Sequence, residues 1–298
     1  MKGYYTSRYT DAITLLKKGC WLAFLLIGVW GQGCKKEIIP VALGTSPSGQ
    51  LSRYDLIAAD YDIKPVTSFT ASYNQEGRMV NLFEKMGQSL FSFNLSYEGN
   101  KLVSALANDK SVQQITYDAG GKPLQVNYTT LTDTGKLVYT YSATGKLIAL
   151  LDSVQKPLKL PARLQYLFTY DPSGNNVVKI TTNQLDMKGR PTLLQYSFYT
   201  FDDKLNPFTA FPYLQYSNLL PGEVPALVNK NNVTSSRLVG TLLNSAGSSS
   251  APEFDTITIY RTTRTYEYTD NGFPAKAIEH FENVQFNYSG KRTFKYEY

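Results

Sequence analysis

The segment Tyr117-Asp118-Ala119-Gly120-Gly121-Lys122 decides the fold, together with its counterpart Tyr141-Ser142-Ala143-Thr144-Gly145-Lys146. In each, the short polar residue after the tyrosine can open a turn by hydrogen bonding to its own backbone. The glycine before the lysine supplies the positive φ that short hairpin loops require, and the lysine begins the next strand. Each segment therefore predicts a β-hairpin.

The same unit recurs along the chain, and we interpret it as the repeating element of the fold. The early copies start 20 to 24 residues apart, at Tyr73, Tyr97, Tyr117 and Tyr141, which is about the length of one hairpin with its loops. Later copies occupy 170–175 and 268–273. Three turns carry Gly-x-Pro and place proline at a strand start, where its missing N–H costs least; the prolines are Pro123, Pro191 and Pro274, and Asn206-Pro207 is interpreted in the same way.

Between the turns, apolar and polar residues alternate with the period of a strand that has one buried face. The segments 124–129, 164–170 and 284–288 follow this pattern, whereas 192–201 is apolar on both faces and predicts a strand covered on both sides. We therefore predict an all-β fold, an antiparallel β-meander of consecutive hairpins. The meander would be curled into a barrel-like or half-open barrel sheet.

The N-terminal segment ends in Cys34 and has the pattern of a lipoprotein signal peptide. Lys17 and Lys18 precede an apolar run over 21–30, and Gly31-Gln32-Gly33 lies directly before the thiol. The run of about ten residues is half of what a membrane-spanning helix needs. We predict that residues 1–33 are removed and that Cys34 carries a lipid. An ordinary secretory signal and an uncleaved anchor are the alternatives.

The rest of the chain divides into a spacer and one domain. Residues 34–65 contain Pro40, the segment 44–49 and Pro65 without clear periodicity, which predicts a flexible tether. Residues 66–298 form the predicted β-meander domain. Within it, 211–253 interrupts the repeat and predicts a loop excursion with a short helix around 224–228.

Composition excludes several kinds of site and partner. Residues 1–33 contain four basic residues and one acid, so the net charge of +6 falls to +3 once they are removed. No Lys/Arg run exceeds two, and nucleic-acid binding is not predicted. No cysteine follows Cys34, which excludes disulfides and thiolate metal sites from the domain. His280 is the single histidine, and we interpret it as a partly exposed strand residue paired with a carboxylate.

No assembled chemistry is recognisable in the sequence. The nucleophile elbow, the phosphate-binding glycine loop, the zinc-protease motif and the nucleotide fingerprint are missing from the sequence. Asp118, Asp171 and Asp270 are interpreted as turn formers. We predict no catalytic residue, no metal site and no cofactor. A glycosidase needs only two carboxylates, so an envelope carbohydrate hydrolase that uses such a pair is the alternative function.

Two further patterns carry a resemblance to known proteins. The Tyr-Asp-x-x-Gly turns resemble YD-type repeats. The segments 199–208, 228–233 and 266–274, in that order, resemble an uncharacterised Bacteroidetes-type lipoprotein domain with a porin-like fold. Gly31 stands where most lipoboxes have leucine, as in the relaxed boxes of such lipoproteins, and Lys35-Lys36-Glu37 loosely resembles a surface-export tether. The resemblance implies a curled antiparallel meander and brings no catalytic residues.

These observations predict an outer-membrane lipoprotein of the cell envelope, facing either the periplasm or the cell surface. Its partners would be the membrane, through the lipid, and a glycan or another envelope protein. A transmembrane barrel is less favoured, because many predicted strands carry Gln, Thr, Asn or Lys opposite the apolar face. The most favoured role is a non-catalytic binding or structural module.

Overall fold

Consecutive antiparallel strands form one sheet in the computed structural model, which describes residues 51–58, 67–86, 89–155, 162–210, 229–243 and 254–298. Within these ranges there are sixteen strands and one short 3-10 helix, Pro207–Ala210. The strands are β1 (Arg53–Ala58), β2 (Thr67–Tyr73), β3 (Met79–Met86), β4 (Ser89–Glu98), β5 (Lys101–Ala107), β6 (Val112–Tyr117), β7 (Pro123–Thr129), β8 (Thr134–Tyr141), β9 (Leu147–Gln155), β10 (Ala162–Tyr170), β11 (Val177–Leu185), β12 (Pro191–Leu205), β13 (Asn231–Leu243), β14 (Phe254–Tyr268), β15 (Pro274–Asn283) and β16 (Tyr288–Glu297).

Pairing between the first and last strands closes the sheet into a barrel. Arg53 lies opposite Glu297 and Ala58 opposite Arg292, while the other edge of β1 pairs with β2. Closure leaves no free sheet edge among these strands. The predicted all-β meander is confirmed. The predicted tether 34–65 is wrong at 53–58, because these residues form β1, whose partners in β16 lie more than 200 positions away.

The buried face of the sheet is the lumen of the barrel. Phe208, on the β12–β13 connection, packs its ring against Tyr54 of β1 at 5.4 Å and Tyr296 of β16 at 6.4 Å between centroids. Strands β12 and β1 are five places apart in the barrel, so this contact is made across its interior. The main apolar cluster, including Leu82, Val126 and Phe294, shares this face.

The outer face is polar along much of the barrel. Asn94, Gln114, Asn127 and Lys136 are exposed, and each alternates with a buried lumenal neighbour. An apolar interior packed with side chains and a wet exterior is the arrangement of an antiparallel sheet with one solvated face.

The tyrosine-led turns have a common local geometry. In the β6–β7 turn, Asp118 N donates to Lys122 O at 2.8 Å and Gly121 N donates to Asp118 O at 3.0 Å. Lys122 N donates back to Asp118 Oδ1 at 2.8 Å, and Gly121 has a φ of 79°. Asp171 accepts from Asn175 N in the same way at 3.0 Å. Both aspartates are confirmed as turn formers, whereas Thr269 rather than Asp270 opens the β14–β15 turn.

Most turn tyrosines also bond to a backbone carbonyl beside the neighbouring strand, whereas Tyr268 donates to the carboxylate of Asp202. The β5–β6 ladder ends with Ser104 opposite Gln114, which leaves the carbonyl of Leu102 beyond the last pair. Tyr117 Oη donates to this carbonyl at 2.6 Å. The equivalent bonds run from Tyr73 to Leu51, Tyr97 to Met79, Tyr141 to Pro123, Tyr170 to Leu147 and Tyr298 to Pro274. A backbone acceptor that the ladder cannot satisfy is thereby satisfied by a side chain.

All of these turns lie at one end of the barrel, which we call the tyrosine end; the other is the opposite end. Lysines add a second link between successive turns at the tyrosine end. Lys101, Lys122 and Lys146 lie 5.4–5.5 Å above the rings of Tyr117, Tyr141 and Tyr170, respectively. Each lysine follows the glycine of one turn and covers the tyrosine of the next, which is a cation–π arrangement.

Asparagines tie together the two ends of the β12–β13 connection. Asn229, which is fully buried, accepts from Val177 N through Oδ1 at 2.5 Å and from Asn206 Nδ2 through its carbonyl at 3.0 Å. Asn206 Oδ1 accepts from Phe208 N at 3.0 Å and starts the 3-10 helix. Pro207 therefore begins this helix rather than a strand, contrary to our prediction.

The predicted excursion 211–253 is not one uninterrupted loop. Its middle part contains β13, a strand of 13 residues that pairs with β12 and β14. The segments 211–228, which includes the predicted short helix, and 244–253 lie outside the described residues. The sequence concealed β13 because Ser, Thr and Asn fill many of its positions.

The strand predicted at 284–288 is a turn. Residues 284–287 connect β15 to β16, Asn283 Oδ1 accepts from Phe286 N at 3.1 Å, and Asn287 has a φ of 48°. Val284, Phe286 and Tyr288 are 39%, 58% and 57% exposed rather than buried. Local turn chemistry overrides the alternation of apolar residues here.

We expect Tyr141→Phe to lower the free energy of unfolding by about 1–2 kcal/mol, because it leaves the carbonyl of Pro123 without its donor. Tyr288→Phe is the matched control, since this tyrosine is exposed, and we expect a change below about 0.5 kcal/mol. Urea unfolding of the two variants checks this. Equal stability of the two would contradict a structural role for the hydroxyl.

Candidate functional site

A band of polar side chains lines the lumen at a constant depth. At Tyr73, Tyr117, Tyr141 and Tyr268 the pairing register shifts, and the second residue of the following strand has no partner. The first, fourth and sixth residues of that strand therefore face inward. In five of the strands that begin at the tyrosine end, the sixth residue carries a polar group. We call these residues the lumenal band: Glu84 of β3, Tyr128 of β7, Asp152 of β9, Thr182 of β11 and Glu279 of β15.

Glu279 is held between two arginines. It is 1% exposed and lies directly opposite Arg264 on β14 and Arg292 on β16. Arg264 Nε donates to Oε2 at 2.7 Å, and Arg292 Nη1 is 3.5 Å from Oε1. The guanidinium groups also cover aromatic rings, Arg264 that of Phe294 at 4.9 Å and Arg292 that of Phe281 at 4.4 Å. The two arginines therefore supply the cationic partners that a buried carboxylate requires.

Asp152 has a neutral partner. Tyr128 Oη donates to Asp152 Oδ1 at 2.9 Å. Burial raises the pKa of Asp152 to about 6, although the hydrogen bond from Tyr128 opposes this shift. Gly135 makes the contact possible, because a Cβ at this position would lie 2.3 Å from the tyrosine hydroxyl.

Glu84 has an apolar environment. It is 5% exposed, and its direct cross-strand neighbours are Phe69 and Phe91. Burial raises the pKa of Glu84 to about 7. This carboxyl group therefore takes up or releases a proton near neutral pH.

The hydrolase alternative requires two carboxylates on either side of one bond. The two with raised pKa values, Glu84 and Asp152, stand on strands β3 and β9, and neither is a cross-strand neighbour of the other. The cross-strand neighbours of Asp152 are Leu137 and Leu164, and those of Glu84 are phenylalanines. The geometry thus favours separate lumenal acids over a catalytic pair.

A second polar site lies on the outer face near the opposite end. A groove of about 700 Å³ runs over β14, β15 and β16, and its lining includes Arg261, Thr263, His280, Glu282 and Lys291. Thr263, His280 and Lys291 are directly opposite one another in the ladder, and Arg261 is opposite Glu282. Glu279 and Arg264, at alternating positions, point into the lumen, so these side chains point outward.

His280 is exposed on strand β15. The prediction of an exposed strand histidine is therefore confirmed. Its direct cross-strand neighbours are Thr263 and Lys291, so the ladder does not supply the opposite carboxylate that we expected.

Aromatic residues continue this outer surface on β12. Lys179 Nζ lies 4.1 Å from the ring centroid of Tyr196, and the guanidinium of Arg237 lies 4.9 Å from that of Phe198. Tyr199, on the lumenal side, packs against the cluster around Phe168. We predicted that this strand is covered on both sides. Its lumenal side packs against the cluster around Phe168, and cationic side chains cover the aromatic residues on its outer side.

Cys34, the predicted lipidation site, lies outside the described residues. Within the described ranges, no cluster of three or more His, Cys, Asp or Glu side chains could hold a metal ion. Over the same residues, helices of sufficient length and apolarity to cross a membrane are not found.

Sequence reasoning missed Glu84, Asp152 and Glu279. The available signal was an acid in phase with the apolar positions of its strand, as Glu84 is with Leu82.

Comparison with known proteins supports the fold. No protein-family model matches the chain, and no curated protein matches it significantly. Among solved structures, the chain is similar to a porin-like protein from Bacteroides uniformis, with 16% identity, 87% of this chain and 99% of that chain covered, and a TM-score of 0.50. A porin-like protein from Bacteroides vulgatus matches with 12% identity, coverage of 84% and 98%, and a TM-score of 0.49. The first similarity shows a shared fold, and the chain is an all-β antiparallel meander closed into a barrel.

We expect Glu279→Gln to cost about 3–5 kcal/mol of stability, because it leaves two lumenal arginines without their carboxylate. Glu282→Gln, on the same strand, is the matched control: its ion pair with Arg261 is 3.8 Å long and half-exposed, and we expect a change below about 1 kcal/mol. Denaturant unfolding measures both. Similar losses would show that the lumenal pairing is not structurally important.

The raised pKa of Glu84 makes stability depend on pH. In the unfolded chain the Glu84 carboxyl has its ordinary pKa of 4.5 and releases its proton near that pH. In the folded protein it keeps the proton until about pH 7. The folded state therefore loses stability as the pH rises between these values. We expect the free energy of unfolding of Glu84→Gln, relative to that of the wild type, to rise by up to about 3 kcal/mol between pH 5 and pH 8. Urea unfolding at both pH values, with exposed Glu98→Gln as control, tests this; a constant difference contradicts it.

Proposed function

We propose that this protein is a lipid-anchored, non-catalytic module of the bacterial cell envelope. Cys34 carries the lipid, residues 1–33 are its signal peptide, and the barrel that begins at β1 is the folded domain. The barrel serves as a binding or structural unit in the outer membrane compartment, on the periplasmic or the surface side.

The observation that carries this proposal is the polarity of the barrel. A transmembrane β-barrel presents apolar residues to lipid and polar residues to its lumen. Here the apolar cluster around Val126 and Phe294 lies on the lumenal face, while Asn127 and Lys136 face outward. This arrangement favours a barrel surrounded by water and argues against a pore. A separate anchor would then be needed to hold it at a membrane.

The position of β1 is consistent with such an anchor. Leu51 accepts the hydrogen bond of Tyr73 at the tyrosine end, so the chain enters the barrel there. The stretch between Cys34 and Arg53 can span at most about 60 Å. The tyrosine end is therefore the end at which the chain from Cys34 enters the barrel.

Metabolic labelling with a fatty acid, followed by mass spectrometry of the full chain, tests the anchor. We expect the wild type to carry acyl groups on Cys34 and to lack residues 1–33. Cys34→Ala is expected to remain unlabelled and unprocessed. Cys20→Ala is the matched control, because it removes the only other cysteine of the chain and should keep the label.

An unlabelled wild type, or a label that persists in Cys34→Ala, contradicts the proposal. Recovery of the wild type in the aqueous fraction of a detergent phase separation contradicts it as well.

A further inference from the structure

Several basic residues lie close together on the outer face of the C-terminal half of the barrel. The ladder places Lys179, Phe198, Arg237, Arg261 and Glu282 directly opposite one another across β11 to β15. The adjacent row ends with His280 opposite Lys291. We call this surface the cationic face; it comprises Lys179, Arg237, Arg261, His280 and Lys291 with the aromatic residues Tyr196 and Phe198.

The charges on this face are not balanced within it. Arg237 and Arg261 are direct cross-strand neighbours, and like charges at such positions destabilise a sheet. Glu282 is 3.8 Å from Arg261, and its side chain is 53% exposed, so it neutralises little. Among the described residues, no carboxylate forms an ion pair with Arg237 or Lys291. An anionic ligand would remove the repulsion that the fold leaves in place.

The aromatic residues hold two of the cations in place. Lys179 lies over Tyr196 at 4.1 Å and Arg237 over Phe198 at 4.9 Å. A guanidinium held against a ring keeps its planar set of donors free to bind a carboxylate in a two-pronged way.

The groove beside the row supplies neutral polar groups. Its lining includes Thr263 and Ser289, with His280 and Asn287 near them, in a volume of about 700 Å³. Hydroxyl, amide and imidazole groups can donate and accept hydrogen bonds. A ligand rich in hydroxyl groups would be satisfied there, while its acidic groups meet Arg261 and Lys291.

We propose that the cationic face binds an acidic polysaccharide, with its carboxylates on Arg237, Arg261 and Lys291 and its sugar hydroxyls in the groove. This inference rests on the proposed envelope function and names its partner class. Arg237 and Arg261 lie on neighbouring strands, which are about 4.8 Å apart, so they present two adjacent positive charges to a polymer that carries charge on successive units. The groove lies beside the 284–287 turn at the opposite end, whereas the chain enters β1 at the tyrosine end, which favours an extended polymer over the anchoring membrane.

The test is affinity electrophoresis of the full chain in detergent, through gels that contain polygalacturonate or neutral dextran. We expect retardation by polygalacturonate alone. Arg237→Gln/Arg261→Gln/Lys291→Gln should weaken the apparent affinity at least tenfold. The control Lys85→Gln/Lys136→Gln/Lys188→Gln removes the same charge from exposed positions elsewhere and should change it less than twofold. Circular dichroism confirms that both variants are folded.

Several outcomes would overturn the inference. These are absence of retardation of the wild type, equal retardation by dextran, and equal loss in both triple variants, which would indicate non-specific attraction. Tighter binding of single-stranded DNA or of anionic lipid vesicles than of polygalacturonate would also reject the polysaccharide. Fatty-acid labelling at Cys34 is measured on the same preparation, so failure of binding with an intact label separates this inference from the proposed envelope function.

Discussion

The hydrogen bond from a tyrosine hydroxyl to a backbone carbonyl beside the neighbouring strand, made by six tyrosines at one end of the barrel, is the interaction on which the barrel depends. An isolated hairpin is only marginally stable. The hydrogen-bonded ladder between successive hairpins stops before their turns, as the β5–β6 ladder does at Ser104, before it reaches Leu102. The hydroxyl of Tyr117 satisfies the carbonyl left over. Because the same bond recurs at Tyr97, Tyr141 and Tyr170, successive hairpins from β3 to β11 are fixed to one another, and Tyr73 and Tyr298 make it on either side of the closing pair β1 and β16.

This periodic turn also determines the chemistry of the lumen. The skipped residue after each tyrosine brings the same strand positions to the same depth, so apolar residues such as Leu82 and Ala277 form one layer and Glu84 and Glu279 fall in the next. Buried acids are costly unless they are paired or protonated. The protein uses both solutions, since Glu279 is paired with two arginines and the pKa of Glu84 rises to about 7.

Much of the fold was predictable because the turns are local. The Asp118 and Gly121 turn, the prolines at strand starts and the alternation in 164–170 follow from the backbone preferences of the residues themselves. The errors arose where distant or competing interactions decide. Residues 53–58 become a strand only because β2 and β16 flank them. The alternation of apolar residues in 284–288 predicts a strand, but a turn forms there because Phe286 N donates a hydrogen bond to the Asn283 side chain. The lumenal band was missed, because an acid on an apolar face is uninformative until the closed barrel surrounds it.

The sequence by itself determined that this chain is a succession of tyrosine-led hairpins behind a predicted lipoprotein signal ending in Cys34. Turn formation and strand alternation depend on neighbours in the chain, so they can be recognised without coordinates. Only the tertiary structure decided that the sheet closes, that its lumen is apolar with a polar band, and that Arg237, Arg261 and Lys291 share one outer face. These properties depend on the register between strands, which long-range pairing fixes and the order of residues does not display.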